Sequence, residues 1–463
     1  MDILLTHAYF LCEDDAEQRV MKPYPTLGIL YLSSYLKSRG YAVDVFDTTF
    51  STRAALYRHI ESTSPPVVGI SINLMTRKSA VEVIRFCKRL GCLVVVGGPE
   101  VPHYAEEFLR CGADVAVIGE GELTLAELLA HLRRSGTSSL QAVAGIVYRE
   151  QDGSIVHTPA RALIEDLDAL PNPDRAAIDM TRFLDTWKRH HGRSSLSLLC
   201  ARGCPYTCAW CSRSVFGETH RRRSVQHVAD EVELLVAEYH PDQLWYADDV
   251  FTINHRWLFA LRDELKRRGI SKPFECITRA DRLNEDVIRA LAEMGASRVW
   301  FGSESGSQRI LDAMERRVSV QQIRGAAHLL KRYGIEAGLF VMLGYPGEEL
   351  EDIDATIEHL KASQPDTFLT TIAYPIKGTP FYDDVRERII TNGEWSSASD
   401  RALEFRGRYP RRFYWFATRH LVNEVHLHRL VSNGQRKLVP LLSAFVKSKA
   451  ARLGMYFTAQ RRT

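Results

Sequence analysis

The chain has 463 residues, with 60 Lys and Arg against 57 Asp and Glu, a formal net charge of +3 and 45% hydrophobic residues. This composition is ordinary for a globular protein, and the length predicts about two to four domains. No stretch approaches the ~18 consecutive apolar residues of a membrane-spanning helix. The opening MDILLTHAYFLCEDD lacks the basic start of a signal peptide, so we expect a cytoplasmic protein.

Short apolar runs alternate with amphipathic helical stretches over the first ~135 residues, a pattern that predicts a doubly wound parallel sheet. The predicted strands are 2–8, 42–47, 67–72, 93–98 and 115–120. Ligands of such sheets bind beyond the carboxyl ends of the strands. That edge carries Asp47, Ser71, Asn73, Gly97-Gly98 and Glu120-Gly121-Glu122. The glycines indicate either close approach of the backbone to a bulky ligand or plain tight turns.

Residues 136–190 have the pattern of a connector. The string GIVYREQDGSIVHTPAR predicts a β-hairpin that turns at Asp152-Gly153, and DLDALPNPDR predicts a Pro-rich linker.

A second alternation of strands and helices follows. Its six predicted strands are 195–200, 243–248, 274–279, 298–304, 338–343 and 367–374. Because polar residues gather at nearly every carboxyl end, the pattern favours a partial (β/α)6 barrel over a second open sheet. We expect these ends to face one cavity.

Four of the nine cysteines lie within one string of twelve residues, CARGCPYTCAWC, from Cys200 to Cys211. An odd number of cysteines without a secretory signal argues against a disulfide framework. Three thiolates spaced C-x3-C-x2-C can bind three irons of a [4Fe-4S] cluster and leave the fourth iron open to an outside ligand. Cys200 could close the site as a fourth ligand of zinc or a cluster, although it ends an apolar strand.

The string RGCPYTCAWC resembles the cluster motif of the radical S-adenosylmethionine (SAM) enzymes. The domain order is similar to the class of these enzymes that binds cobalamin, and KPYPTLGILYLSSYL, WYADDVFT, FGSESGS and VMLGYPGE resemble that class over about residues 1–385. The resemblance implies an α/β protein with four regions. They are a Rossmann-like cobalamin-binding domain (1–135), a hairpin and linker (136–190), a radical SAM partial barrel (191–385) and a basic helical C-terminal region (386–463).

The resemblance also assigns the cluster site. Cys204, Cys208 and Cys211 match the cluster ligands, and Trp210 matches the aromatic residue before the third cysteine. In such enzymes the open iron chelates the methionine part of SAM, and reductive cleavage yields a 5′-deoxyadenosyl radical that abstracts hydrogen from an unactivated carbon. No catalytic residue beyond the cluster ligands is assigned.

Three further positions match the part of the family's site that binds methionine. Asp248 and Asp249 stand where the family has a short Gly-Glu run holding the methionine amino group, and acidic acceptors suit an ammonium donor. Because this string is changed, either aspartate could face the substrate instead. Arg279 could pair with the methionine carboxylate or form a structural salt bridge.

Two later strand ends match the remaining SAM contacts of the family. Ser303 and Glu304 match the position that contacts ribose and methionine. The segment 340–347, which includes Gly344, resembles the stretch that lies along the adenine ring.

The cobalamin site departs from the pattern of relatives with an axial histidine. Those proteins have D-x-H-x-x-G after a strand, whereas residues 47–52 read DTTFST. The resemblance implies cobalamin bound without a protein histidine, with Ser71, Gly97 and Gly98 at the nucleotide-loop contacts. The alternative is a Rossmann-like domain that has lost the cofactor.

The end of the chain is strongly basic. Residues 401–463 hold 14 Lys and Arg against 2 Asp and Glu, a local charge of +12. Apolar residues at helical spacing predict helices, with Phe413, Tyr414, Trp415 and Phe416 beside two arginines. These helices could cap the main body with a solvated basic face, or form a patch for an anionic substrate, a nucleic acid or a membrane surface.

Three functions follow as alternatives. The first is methylation of an unactivated carbon, with methyl supplied through cobalamin and SAM, and the second is a cyclisation or rearrangement with the same cofactors. The third is a non-catalytic iron-sulfur or zinc protein. For an enzyme we expect a small-molecule or lipid-like substrate and an electron donor such as flavodoxin or ferredoxin.

Overall fold

A computed structural model of the protein describes residues 1–150, 152–390, 394–435 and 437–459. By their contacts the residues form two compact units. Unit 1 comprises Met1–Pro205, Arg213–Trp245 and Gly393–Ser399, and unit 2 comprises Tyr206–Ser212, Tyr246–Asn392 and Asp400–Thr463. Within the described ranges, no helix combines the length and apolarity needed to cross a membrane.

Unit 1 is built on a seven-stranded sheet. Its strands are β1 (Ile3–His7), β2 (Val43–Phe46), β3 (Val67–Ser71), β4 (Leu93–Gly97), β5 (Val115–Val117), β6 (Ile146–Arg149) and β7 (Ile155–His157). The strand order is β2-β1-β3-β4-β5-β6-β7. Neighbours from β2 to β5 are parallel, whereas β6 and β7 form the predicted antiparallel hairpin. This order confirms the doubly wound sheet.

Helices alternate with these strands. They are α1 (Asp15–Val20), α2 (Leu27–Ser38), α3 (Arg53–Thr63), α4 (Arg77–Arg89), α5 (Val101–Arg110) and α6 (Gly121–Ser135). Side chains alternate between the two faces of a strand. Leu4 of β1 therefore packs into one hydrophobic core while Ile3 and Leu5 pack into another. Both faces of the sheet are buried, as a parallel sheet requires.

Unit 1 also contains the start of the second strand-helix series. Its elements are α7 (Met180–His191), β8 (Ser195–Leu198), β9 (Ala201–Arg202), β10 (Arg221–Arg222), α8 (Val225–Tyr239) and β11 (Gln243–Tyr246). Fully buried Glu231 on α8 forms ion pairs with Arg175 and Arg223. Arg175 also donates to the Ser197 carbonyl at 2.9 Å, and Arg223 to the Leu199 carbonyl at 2.9 Å. This network fixes the strand that leads into the cysteine loop.

Unit 2 continues the series. Its elements are α9 (His255–Arg267), β12 (Phe274–Thr278), α10 (Glu285–Met294), β13 (Ala296–Glu304), α11 (Gln308–Ala313), α12 (Val320–Arg332), β14 (Glu336–Leu343), α13 (Leu350–Ser363) and β15 (Thr367–Ile372). The strands β12 to β15 pair in parallel with their sequence neighbours. The full strand order is β15-β14-β13-β12-β11-β8, which confirms a six-stranded parallel sheet with the topology of a partial barrel.

Local signals in the sequence explain where several helices begin and end. Ser319 and Gln322 form a reciprocal capping box at the start of α12. Helix α10 ends at Gly295, whose positive φ of 94° suits glycine.

The end of the chain is helical, as predicted. It contains α14 (Pro380–Val385), the short pair β16 (Ile389–Ile390) and β17 (Glu404–Phe405), α15 (Arg411–Ser432) and α16 (Leu438–Ala459). Residues 391–393, 436 and 460–463 of the predicted basic region lie outside the described residues.

Candidate functional site

A cavity of about 290 Å³ lies at the carboxyl ends of the unit 1 strands. We call it the recess. It brings together the three residues that the sequence predicted there, Ser71, Gly97 and Gly98, and its walls include Leu5 and Val117. The lining is therefore mainly apolar and lies where parallel sheets bind their ligands.

Gly98 is required by the backbone at the recess. Its φ is 104°, and a Cβ atom there would lie 2.6 Å from the Ile72 carbonyl oxygen. A Cβ at Gly97 would come no closer than 3.7 Å, to Val117, so this glycine leaves space without being demanded by a clash. Gly98 is thus required by the backbone conformation, whereas Gly97 leaves open space in the recess.

The charged side chains at the recess neutralise one another. Arg202 binds Glu120 at 2.8 Å and Glu122 at 2.5 Å, and Arg221 binds the second oxygen of Glu120 at 2.7 Å. The Arg202 guanidinium also lies 5.2 Å from the ring centre of Phe216. Two arginines balance two glutamates, so the recess suits a bulky ligand held by shape and apolar contact.

The turn after β2 contains no histidine, but His7 from the end of β1 lies beside it. One His7 ring nitrogen is 3.3 Å from Asp47 Oδ2, and the other accepts the Tyr9 backbone N–H at 3.2 Å. Although burial opposes ionisation, hydrogen bonds from His7 and Thr49 hold the pKa of Asp47 below its ordinary value. Both nitrogens of His7 are already engaged.

The cysteine loop lies between β9 and β10. No disulfide joins any of the nine cysteines, all of which fall within the described ranges. Cys204 is half-buried, Cys208 is buried and Cys211 is exposed, and the Cys211 N–H donates to the Cys208 carbonyl at 3.1 Å.

Two buried arginines of unit 2 point at the sulfur of Cys208. Nη1 of Arg279 lies 3.6 Å from Cys208 Sγ, and Nη1 of Arg316 lies 3.8 Å from it. Such donors suit a sulfur ligand that carries negative charge when it binds a metal.

Arg279 has a partner for each of its nitrogens. Nε donates to Asp281 at 2.8 Å and Nη2 donates to the Arg316 carbonyl at 2.8 Å, while Nη1 faces Cys208. Its guanidinium also lies 3.7 Å from the ring centre of Tyr206. These contacts agree with a structural salt bridge, and pairing with the methionine carboxylate stays a prediction.

Ser303 and Glu304 occupy a bulge at the end of β13. The pairing with β14 passes from Gly302–Phe340 to Glu304–Val341, so Ser303 is the extra residue, and Glu304 has a φ of 47°. An extra residue in one strand re-aims the side chains that follow it.

The two side chains of the bulge have different partners. Ser303 shares a 2.9 Å hydrogen bond with Nε2 of His359, whose pKa falls to about 4 because of burial and the nearby Arg324. Glu304 accepts from Arg316 Nε at 3.1 Å. Burial raises the pKa of Glu304 despite that ion pair. The predicted contacts of both residues with SAM stay predictions.

Asp248 and Asp249 follow β11. Asp248 is buried, whereas Asp249 is exposed. Neighbouring atoms still desolvate the carboxyl group of Asp249, and this desolvation together with the charge of Asp248 raises its pKa. Two adjacent carboxylates, of which Asp249 has a raised pKa, can accept hydrogen bonds from a cation.

A buried carboxyl group lies directly after the predicted adenine stretch. The Gly344 N–H donates to Glu348 Oε2 at 2.6 Å, and burial raises the pKa of Glu348 to about 8. A Cβ at Gly344 would lie 3.0 Å from the ring of Tyr414. Trp210 packs against a nearby hydrophobic cluster that includes Tyr345 and Phe381.

The cysteine loop fits an iron-sulfur cluster better than a single metal ion. Among the described residues, no three His, Cys, Asp or Glu side chains are gathered around one metal position. A cubane cluster offers a separate iron to each cysteine, so its ligands need not converge on one point. The two guanidinium groups at Cys208 suit an anionic sulfur ligand.

Comparisons with known proteins show which family the chain belongs to. The radical SAM superfamily profile matches residues 198–360, and the B12-binding domain profile matches residues 19–129. The uncharacterized methyltransferase PH0819 of Pyrococcus horikoshii is 31% identical over 369 residues, which cover 78% of each chain. The chain belongs to the cobalamin-binding radical SAM family.

Members of this family with different activities resemble the chain. The anaerobic magnesium-protoporphyrin IX monomethyl ester cyclase of Rubrivivax gelatinosus is 26% identical over 353 residues, and the match covers 74% of this chain and 63% of the cyclase. The structure of the cobalamin-dependent SAM radical enzyme OxsB with aqua-cobalamin bound has the same fold. Its TM-score is 0.75 at 17% identity, covering 98% of this chain and 72% of OxsB. The protein is thus a radical SAM enzyme whose cofactors are a [4Fe-4S] cluster, SAM and cobalamin.

The sequence analysis named Arg279 as a candidate site residue, but it did not find the other residues that surround Cys208. Arg316 lies between strands and belongs to no recognised motif, and Tyr206 is one of the residues that separate the cysteines. The sequence did mark Glu120 and Glu122 at the strand edge, but gave no sign that Arg202 would neutralise them.

Proposed function

We propose that this radical SAM enzyme methylates an unactivated carbon of a small-molecule or lipid-like substrate. The observation that carries the proposal is the similarity to the Pyrococcus methyltransferase, which covers 78% of both chains. The cyclase match has lower identity and covers less of its relative. The runner-up is therefore a cyclisation or rearrangement with the same cofactors.

The cysteine loop and the residues around Cys208 support the binding of the cluster and of SAM. Cys204, Cys208 and Cys211 would hold the cluster, with Arg279 and Arg316 stabilising negative charge at the Cys208 sulfur. Asp248 and Asp249 would accept hydrogen bonds from the ammonium group of SAM.

The recess supports the binding of cobalamin. Ser71, Gly97 and Gly98 line a mainly apolar space for a bulky group, and the charged side chains of its wall neutralise one another. When bound, the two metal cofactors supply one-electron reduction of the sulfonium and a cobalt that can carry a methyl group. The electron would come from a small carrier such as flavodoxin or ferredoxin.

A nucleoside assay separates the two activities. Protein reconstituted without oxygen is incubated with methyl-labelled SAM, cobalamin and dithionite, and S-adenosylhomocysteine and 5′-deoxyadenosine are measured by mass spectrometry. Methylation predicts both nucleosides. 5′-Deoxyadenosine without S-adenosylhomocysteine would favour the cyclase alternative, and neither nucleoside would contradict both.

Cys208→Ala and Cys12→Ala are the matched variants for this assay. Cys208→Ala should abolish both products because it removes a proposed cluster ligand. Cys12→Ala changes an exposed cysteine outside the motif and should leave both products unchanged.

A further inference from the structure

Helix α16 is fixed to the rest of unit 2 by one of its faces. The buried residues of this face are Ala444, Ser448, Ala451 and Met455. Ser448 Oγ bonds to Nδ1 of His420 at 2.9 Å and to Glu424 at 2.6 Å on α15, and Arg452 binds Asp354 at 2.6 Å. These polar contacts fix the rotation of α16 about its own axis.

The opposite side of α16 exposes large apolar side chains. Eight of them are 46% to 79% exposed. They are Leu438, Val439, Leu442, Phe445, Val446, Leu453, Tyr456 and Phe457, and we call them the apolar stripe. At 100° per residue they fall on one side of the helix, away from the buried face, and they extend over about 28 Å. A continuous exposed apolar surface of this kind marks an interaction site.

The charged side chains of α16 next to the apolar stripe are basic, although Lys449 also pairs with Glu424 of α15 at 3.9 Å. Lys447 and Lys449 are exposed on the same helix. Lys449 also lies 5.3 Å from the ring centre of Phe445. The sequence contains no Asp or Glu after Glu424. A partner that combines an apolar surface with negative charge would therefore complement this face of α16.

These two requirements discriminate between partners. In a two-fold dimer formed through the apolar stripe, each copy would present the same lysines to the other, with no acidic residue of α16 to pair with them. An anionic lipid surface offers acyl chains to the apolar stripe and negative headgroups to the lysines.

We propose that α16 lies in the plane of an anionic membrane surface, with the apolar stripe among the acyl chains and the lysines at the headgroups. The proposal does not depend on which reaction the enzyme performs.

Vesicle co-sedimentation of the full chain tests this proposal. The two vesicle preparations are phosphatidylcholine alone and an equimolar mixture with phosphatidylglycerol. We expect roughly tenfold or greater partitioning onto the anionic vesicles, since each lysine near such a surface contributes about 1 kcal/mol, and we expect raised salt to reduce it. Lys447→Gln with Lys449→Gln should remove most of this preference.

Variants of exposed leucine and phenylalanine residues distinguish insertion of the apolar stripe from nonspecific hydrophobic adsorption to vesicles. The combination Leu442→Ser, Phe445→Ser and Leu453→Ser should abolish binding without lowering the unfolding temperature, because these side chains are exposed. The matched control is Leu90→Ser, Leu234→Ser and Leu369→Ser, at residues that are 45% to 54% exposed elsewhere, and it should bind like the wild type.

Three outcomes would overturn the proposal. They are no binding to either vesicle, equal binding to both vesicles without salt dependence, and a dimer in sedimentation velocity that the α16 triple variant dissolves. The last result would assign the apolar stripe to a second copy of the chain.

Discussion

The recess in unit 1 and the surroundings of Cys208 in unit 2 use arginine in opposite ways. At the recess, Arg202 and Arg221 are bound to Glu120 and Glu122, so the charges cancel within the wall. Around Cys208, Arg279 and Arg316 are each held by a carboxylate yet direct one nitrogen at the sulfur. Substitutions that add volume should therefore perturb the recess, and substitutions that alter charge should perturb the surroundings of Cys208.

The largest expected effect is loss of the cluster. Cys208→Ala removes a thiolate that two guanidinium groups stabilise, so anaerobically reconstituted protein should fall from about four irons per chain to a much lower content. Cys200→Ala should keep the full complement. Iron and sulfide analysis measures both, and loss of iron in Cys200→Ala, or zinc in place of iron, would contradict the open three-cysteine site.

Next in size is the removal of one buried charge beside Cys208. Arg316→Gln leaves Glu304 without its ion pair, which should lower the free energy of unfolding by roughly 3–5 kcal/mol. The double variant Arg316→Gln with Glu304→Gln should recover most of that loss. Urea denaturation of the wild type, the two single variants and the double variant gives the coupling energy between Arg316 and Glu304. Additive losses of unfolding free energy would show that the pair does not act as a unit.

Added volume at the recess should cost less stability. Gly98→Ala forces a Cβ against the Ile72 carbonyl at positive φ and should destabilise the protein by roughly 1–3 kcal/mol. Gly97→Ala meets no clash, so it should keep stability while weakening cobalamin uptake, measured by absorbance after gel filtration. Unchanged uptake in Gly97→Ala would separate this part of the recess from cobalamin binding.

The carboxyl group of Glu348 should make stability depend on pH. Its pKa of about 8 lies above its ordinary value of 4.5, so between these values the unfolded chain has lost a proton that the folded chain keeps. Stability should therefore fall as pH rises through this window, by roughly 1.4 kcal/mol per pH unit. Glu348→Gln should remove this contribution, and exposed Glu351→Gln should not. Identical urea midpoints of Glu348→Gln and wild type across the window would refute the assignment.

The last prediction is that a substitution of His7 leaves the spectrum of bound cobalamin unchanged. Because both ring nitrogens of His7 have partners, His7→Gln should not change the paramagnetic resonance spectrum of bound Co(II) cobalamin. We expect that spectrum to lack splitting from a protein nitrogen. A nitrogen signal that disappears in His7→Gln would instead make His7 the axial ligand.

Strand positions could be predicted from the sequence because apolar runs and turn residues are local. The run 67–72 became Val67–Ser71 and the run 195–200 became Ser195–Leu198. The position of the recess could be predicted for a similar reason, because parallel strands bring their carboxyl ends to one edge of the sheet. The contacts of Arg279 and Arg316 with Cys208 could not be predicted, because these arginines lie 71 and 108 positions from Cys208 in the sequence.

The basic C-terminal region shows the same limit. The sequence treated four consecutive aromatic residues as one group. In the structure Phe413 and Tyr414 are fully buried, whereas Trp415 is 51% exposed. Truncation of Phe413 to alanine should therefore lower the free energy of unfolding by roughly 3–5 kcal/mol, whereas the same change at Trp415 should lower it much less. Helical spacing alone does not reveal which side of a helix meets its neighbour.

The bulge at Ser303 limits how this strand can change during evolution. Because the extra residue re-aims the side chain that follows it, loss of Ser303 would remove the bulge, and Glu304 would no longer point at Arg316. Gain or loss of one codon is therefore a far larger change at this position than any substitution. We expect relatives to align through Gly302-Ser303-Glu304 without gaps, even where their strand sequences otherwise diverge.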